Sequence, residues 1–401
     1  MLLPALIFAA TYIVVAIGRV PFFRLDRSGA ALLGAAAMVA SGTLTLEDAY
    51  RAIDLATITL LLGMMLIVAH LRLSGFFALV TDFAARHTRA PLTLLASVIA
   101  IAGVLSAFLV NDAVCLMLTP LVIETAKRLD RRPLPYLLAL VMASNIGSVA
   151  TITGNPQNMI IGNLSQLSYG SFAAALTPVA LAGLVLVFGF VVAICPGDFL
   201  RPQLARTIAL KPRVNRPLLA TSLAATALAI AGFFFGIAPP EVAIVLGALL
   251  LLHPIKPQRV YREIDWSLLV LFVGLFIVLA GAEKALLTPA LRSAVADAGL
   301  ARVPVLTAIA AALSNLVSNV PAVLALAPFV GGIADPQRAW LVLAMASTFA
   351  GNFTILGSVA NLIVVEQARR HRVTIGFWAY FRIGAPLCLA TLALGAWWLG
   401  S

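Results

Sequence analysis

Along the chain, long apolar runs alternate with short charged loops. A membrane-crossing helix needs about 20 apolar residues. That length predicts spans at 2–20, 29–44, 55–71 and 172–194, then at 218–235, 241–252, 266–280 and 383–399. Four more runs are apolar but polar in the middle. Residues 91–125 are broken at Asn111-Asp112 and 304–330 at Ser318-Asn319, while 134–163 and 340–365 are interrupted by Gly, Ser, Thr and Asn. Unpaired backbone at membrane depth is tolerated only where it is buried in protein or lines a wet cavity.

The two interrupted runs answer each other. Residues 142–163 read MASNIGSVATITGNPQNMIIGN and 345–364 read MASTFAGNFTILGSVANLIV. At an offset of 203 they share Met-Ala-Ser, Thr-Ile, the Gly154/Gly357 pair and the Asn158/Asn361 pair. Ile53-Asp54 and Gly63 match Ile264-Asp265 and Gly274 at 211, and Leu105-Ser106, Asn111 and Pro120 match Leu313-Ser314, Asn319 and Pro328 at 208. Ordered matches at polar and glycine positions predict an internal repeat. Paired interrupted segments in two halves are the best sequence pointer to a transporter binding site.

Charge placement predicts the orientation. If 91–125 and 304–330 are re-entrant hairpins, all of the 27 Lys and Arg except Arg51, Lys284, Arg292, Arg302 and Arg338 fall on one face. The positive-inside rule then puts both termini outside, in a bacterial inner membrane. A matched span and its partner run in opposite directions, which makes the repeat inverted. The expected fold is an all-α polytopic membrane protein with an inverted-topology repeat, about ten transmembrane helices plus two re-entrant hairpins and two interrupted helices.

Composition agrees. The chain is 62% hydrophobic and 11% charged, with a mean hydropathy of +1.05, against about 45–50% and about 25% in soluble domains. The net charge of +11 sits in short loops, so the partner is the lipid bilayer and not nucleic acid. Residues 1–17 lack a basic start and a cleavage site, and read as a first span rather than a signal peptide. Cys115, Cys195 and Cys388, far apart in apolar sequence, read as small hydrophobes.

The breaks hold the candidate chemistry. A hairpin tip exposes the N-terminus of its second arm, and an interrupted helix that of its second half. Each offers free N–H groups and about half a positive charge, which favours an anion. Asn111-Asp112 and Ser318-Asn319 are expected to cap such ends, with Pro156 and Pro321 in first turns. Oxygens of Ser, Thr and Asn with unwound carbonyls suit Na⁺. The expected substrate- or ion-binding set is Asn111, Asp112, Ser144, Asn145, Thr151, Gly154, Asn155, Asn158, Ser318, Asn319, Thr354, Gly357, Ser358 and Asn361, with Na⁺ at Asn111, Ser318 and Asn319. An ionisable group at membrane depth is by default functional, so Asp112 reads as a proton carrier or as an ionised helix cap. Asp54, Glu124 and Asp265 read as interfacial, and His70 as a snorkelling residue. No buried Arg or Lys is expected to face the site. Charge neutralisation then falls to helix dipoles and co-transported cations, which leans toward weakly charged or neutral solutes.

Asn111-Asp112 with Thr119-Pro120, Ser144-Asn145-Ile146-Gly147 and Gly154-Asn155-Pro156-Gln157-Asn158 resemble the ion transporter superfamily. So do Ser318-Asn319-Val320-Pro321 and Gly357-Ser358-Val359-Ala360-Asn361, and the resemblance covers nearly the whole chain. Members include divalent-anion/sodium symporters, citrate–metal carriers, arsenite efflux permeases and sodium/proton antiporters. The resemblance implies a scaffold and a transport domain, a homodimer, and an elevator-like movement. Residues 1–90 and 217–303 would be scaffold. Residues 91–200 and 304–401 would be transport parts, and 201–216 a cytoplasmic linker. The hairpin tips correspond to the superfamily's Ser-Asn-Thr motifs, which bind sodium and carboxylates. Here they read Val110-Asn111-Asp112 and Ser318-Asn319-Val320, closer at the first tip to the arsenite efflux branch.

The function expected is secondary transport of a small anion or oxyanion coupled to Na⁺ or H⁺. Arsenite or antimonite efflux, or sodium/proton exchange, is the alternative. A membrane enzyme would need a nucleophile with its base or clustered metal ligands, and the four His come with no HExxH or GxSxG. No catalytic residue, cofactor or resident metal is therefore expected. Without GxxxxGK[ST] this chain does not itself bind ATP in a P-loop, which leaves a separate ATPase subunit open.

Overall fold

Apolar solvent forces the backbone to satisfy its own hydrogen bonds, and the chain does so almost wholly as helix. The computed structural model describes residues 2–17, 19–20, 25–87, 90–199, 213–286, 288 and 299–401. Arg24, Arg89, Arg292 and residues 201–212 of the expected linker lie outside the described residues. The first half gives α1 (Leu2–Ile17), a two-stranded antiparallel ladder of β1 (Arg19–Val20) and β2 (Leu25–Asp26), α2 (Arg27–Ala40), α3 (Leu46–Ala52) and α4 (Leu55–Ser74). It continues with α5 (Phe76–His87), α6 (Pro91–Phe108), α7 (Asn111–Arg128) and α8 (Pro133–Ser148). A 3-10 turn (Ile152–Gly154) then leads to α9 (Pro156–Ser165), α10 (Tyr169–Ile194) and α11 (Pro196–Phe199).

The second half gives α12 (Arg216–Phe234), α13 (Pro239–Leu250), α14 (Pro257–Tyr261), α15 (Trp266–Leu286), α16 (Val303–Val317) and α17 (Asn319–Val330). It ends with α18 (Pro336–Ala350), a 3-10 turn (Ile355–Gly357), α19 (Val359–Arg370) and α20 (Phe377–Gly400). Six described helices, α4, α6, α10, α12, α15 and α20, are long and apolar enough to cross a bilayer. All four expected interruptions are breaks between helices. The stretch expected to be a basic loop after the third span instead forms α5. Its FFALVTDF face repeats at helical spacing but is too short to span, so a length criterion passed over it.

Two groups of helices pack around these breaks. In one, α4 lies on α13 and α15 lies on α2. A Cβ on Gly63 would sit 2.6–2.7 Å from the backbone of Ile244 and Ala243, and one on Gly274 would sit 2.7 Å from the Ala31 carbonyl. The glycines are 211 residues apart and the alanines 212, so the same crossing is built twice. In the other group α8 packs on α6, α7 and α10, as α18 does on α16, α17 and α20. Every residue of α8 from Pro135 to Ser148 is buried, as suits a helix that is apolar all round.

Two expectations change. His70 is buried, with Nδ1 2.7 Å from the Leu66 carbonyl oxygen, because α13 and α14 cover this part of α4; it does not snorkel. Cys115 and Cys388 are buried as expected, and Cys195 is half-buried. Overpacking a tight core typically costs about 1–3 kcal/mol. Gly63→Val and Gly274→Val should therefore each lower the melting temperature of detergent-purified protein, whereas Gly189→Val, where a Cβ meets nothing within 4 Å, should not.

Candidate functional site

The hairpin tips turn on non-glycine residues in the left-handed region, Val110 at φ 49° and Ser318 at φ 79°. Such backbone is sparsely populated and is held only by its surroundings. Val110 and Ser318 occupy the N-cap positions, and neither makes a side-chain cap bond. Asn111 and Asp112 are thus the first two residues of α7 rather than its caps, which corrects the capping expectation. The Asp112 carboxylate accepts no hydrogen bond from a described residue. Ser358, the N-cap of α19, is also uncapped; its Oγ donates instead to Asn145 Oδ1 at 3.2 Å. Of the four helix starts at the breaks, that of α9 is capped by Asn155, which accepts from the Asn158 N–H at 2.9 Å. The first turns of α7, α17 and α19 keep N–H groups that no side chain takes.

Where α8 and α18 end, their last carbonyls are left without a helical partner. In the first, Asn158 Nδ2 donates to the carbonyls of Ser148 at 3.1 Å and Thr151 at 3.0 Å. In the second, Asn361 Nδ2 donates to those of Gly351 at 2.7 Å and Thr354 at 2.9 Å. All three pairs of positions are 203 residues apart. A Cβ on Gly154 would collide with the Ser148 carbonyl, and one on Gly357 would lie 3.0 Å from the Gly351 oxygen. The shared glycines let each turn fold back on its own helix end. Thr151 Oγ1 donates to the Ala107 carbonyl and ties its turn to α6.

Asn145 joins the breaks. Its Nδ2 donates to Asn352 Oδ1 at 2.9 Å and Asn361 Oδ1 at 3.0 Å, and its Oδ1 accepts from Asn111 Nδ2 at 3.2 Å. Ser144 Oγ lies 2.7 Å from Ser106 Oγ and donates to the Asn111 carbonyl at 3.3 Å. Asn155 Nδ2 and Gln157 Nε2 each donate to Thr348 Oγ1 at 3.2 Å, across to the second half. In the orientation its neighbours require, Asn319 donates to the carbonyls of Ser347 (3.0 Å) and Gly357 (3.2 Å), and accepts from Gln157 Nε2 (3.3 Å).

A cavity of about 40 Å³ for the centres of water-sized molecules lies where these ends meet. Of the expected residues, Asn111, Asp112, Ser318, Asn319 and Ser358 line it. Ser144, Asn145, Thr151, Gly154, Asn155, Asn158, Thr354, Gly357 and Asn361 are not on its wall, and several of them hold that wall by the bonds above. One water needs about 10–15 Å³ of such space, so this form accommodates a few waters or a compact solute. The buried acceptors Asn111 Oδ1, Asn158 Oδ1 and Asn315 Oδ1 have no partner among the described residues. The wall also includes Gln157 and, from the other helix group, Val15, Arg27, Leu268 and Leu271. Gln157 was legible in its motif. Arg27 was not, because in sequence it is one more charge in a basic turn, and its half-buried place here corrects the expectation that no Arg or Lys faces the site.

Asp112 also lines a second cavity of about 100 Å³, shared with Asp265, Glu263 and Arg72, the last two forming an ion pair. A third, of about 590 Å³, is lined by Thr57, Thr59, Asn163 and Glu241 and reaches Ile152 and Tyr169 beside the first interrupted helix. At its rim Asn163 Nδ2 lies 2.9 Å from both carboxylate oxygens of Asp54. Asp54 thereby joins the two helix groups, beyond its expected interfacial role. A buried polar group left without a partner costs about 1–3 kcal/mol. Asn145→Leu, which strips Asn111, Asn352 and Asn361 at once, should lower the melting temperature by several degrees. Ser318→Ala, at a position with no side-chain cap bond, should leave it nearly unchanged.

Relatives fit this geometry. The citrate transporter family matches residues 12–350. The chain is 29% identical over 449 residues to the silicon efflux transporter LSI3 of Oryza sativa subsp. japonica, covering 94% of this chain and 93% of that protein. It is 32% identical over 352 residues to the inner membrane protein YbiR of Escherichia coli, covering 86% and 87%. The solved structure of the YdaH transporter of Alcanivorax borkumensis matches the fold with a TM-score of 0.63 at 17% identity, over 100% of this chain and 96% of that one. With that match spanning most of its length, the chain belongs to the citrate transporter family, within the ion transporter superfamily, and is a polytopic membrane transporter.

Proposed function

We propose that the protein is a secondary active transporter moving a small anion or oxyanion across the inner membrane, coupled to Na⁺ or H⁺. The observation that carries this is the convergence of all four breaks on one cavity, where the first turns of α7, α17 and α19 are uncapped. Free N–H groups at helix starts bind anions. The unpartnered oxygens of Asn111 and Asn158 suit the coupling cation, and Asp112, on the wall of two cavities, suits a proton. The bonds of Asn158 and Asn361 and the Gly63 and Gly274 crossings support two repeats of inverted topology, with α6–α7 and α16–α17 as re-entrant hairpins. In this reading the group containing α2, α4, α13 and α15 is the scaffold. The group containing the breaks is the transport part, sliding as an elevator, in a homodimer with both termini outside.

A second reading has its own support. The polar part of the wall of the cavity of about 40 Å³, the amides of Asn111, Gln157 and Asn319 with the hydroxyls of Ser318 and Ser358, suits a compact hydroxylated solute, and a full-length relative carries the name of a silicon efflux transporter. Arsenite or antimonite efflux belongs to this class.

Thermal stabilisation of detergent-purified protein, in sodium against choline, distinguishes the readings. A ligand specific for the folded state adds about 2.7 kcal/mol at a hundred times its dissociation constant. Sodium-dependent stabilisation by succinate, citrate or sulfate supports the anion symporter. Stabilisation by arsenite without sodium supports the second reading, and no response to any of the four solutes in either salt counts against both. In proteoliposomes Asp112→Asn should flatten the pH dependence of uptake; full pH dependence in that variant would remove Asp112 from proton coupling.

A further inference from the structure

The cavity at the tips has one wall from the transport part and one from the scaffold, and the scaffold wall carries a charge. Arg27 opens α2, faces Asn111, Asp112, Ser318 and Ser358 across the cavity, and makes no ion pair among the described residues. A half-buried guanidinium with no ion pair among the described residues is a counter-charge available to an anion that enters the cavity beside Asp112. The 212-residue register between Ala31 and Ala243 matches the start of α2 to the start of α13. There the first turn carries Glu241 and no basic residue, and Glu241 lines the cavity of about 590 Å³, which meets the end of α9 at Gly162 and Asn163, whereas the tip cavity meets its start at Pro156 and Gln157.

We propose that Arg27 is the scaffold's ligand for the transported anion, and that Glu241 at the matching helix start makes the opposite side electrostatically unfavourable to it. This rests on the elevator reading above. A site that slides between the two scaffold walls meets a cation at one end of its travel and a carboxylate at the other. Binding differs between the two states only through contacts that differ between them, and this pair supplies such a difference. The anion is held more tightly on the Arg27 side and released more readily on the Glu241 side.

The test reads local potential and needs no knowledge of the substrate. In full-length protein with Cys115, Cys195 and Cys388 replaced by Ala, single reporter cysteines are placed at Ser318 in the tip cavity or Thr59 in the large one. Each is reacted with an anionic and a cationic methanethiosulfonate of similar size. Arg27→Gln should lower the anionic-to-cationic rate ratio at the Ser318→Cys reporter roughly threefold or more and leave the Thr59→Cys reporter unchanged. Glu241→Gln should raise the ratio at Thr59→Cys and not at Ser318→Cys. Unchanged ratios in both variants overturn the proposal. If sulfate or succinate stabilises the parent protein, Arg27→Gln should weaken that binding roughly ten- to a hundredfold, whereas Arg27→Lys should retain part of it. Failure of every anion to bind, with the ratios still shifted, would count against the transport reading and leave the charge asymmetry standing.

Discussion

A helix that stops inside a membrane must find partners for the carbonyls it abandons, because no water is there to take them. In this chain two asparagine amides meet that demand. Asn158 and Asn361 each bridge the end of one helix and the turn that follows, so the next helix starts on the wall of the tip cavity, at Pro156 and Gln157 in one half and at Ser358 and Val359 in the other. The hairpin tips, the cavity between them and these helix starts all depend on these two bridges holding.

The bridges are alike, but their second acceptors differ. Asn361 Oδ1 is engaged by Asn145, whereas Asn158 Oδ1 has no partner because Thr348 stands where Asn145 stands in the other half. Thr348 instead receives Asn155 and Gln157 from the first half. One framework built twice is therefore chemically uneven at its centre.

The packing has a matching logic. Where α4 crosses α13 and α15 crosses α2, glycines bring backbones into contact, as suits helices that associate by close approach in an apolar solvent. Between the two helix groups lie cavities, a bond from Asn163 to Asp54, and the ring of Tyr169 against Phe233 and Phe234.

The linear pattern alone determined a great deal. Run lengths marked the apolar segments, polar interruptions located all four breaks, and ordered matches at 203, 208 and 211 linked the halves. These are local properties, since periodicity, composition and a misplaced Gly or Asn are visible within about twenty residues. The tertiary structure decided what each of those residues faces. Asn111, Asp112, Ser318, Asn319 and Ser358 reach the cavity, while Asn145, Asn158 and Asn361 stand behind it as its frame. Asp112 proved to be inside its helix and uncapped. Arg27, anonymous among the basic residues of a loop, became part of the site because α2 packs beside α15, more than two hundred residues away, and only that packing brings its charge to the helix starts.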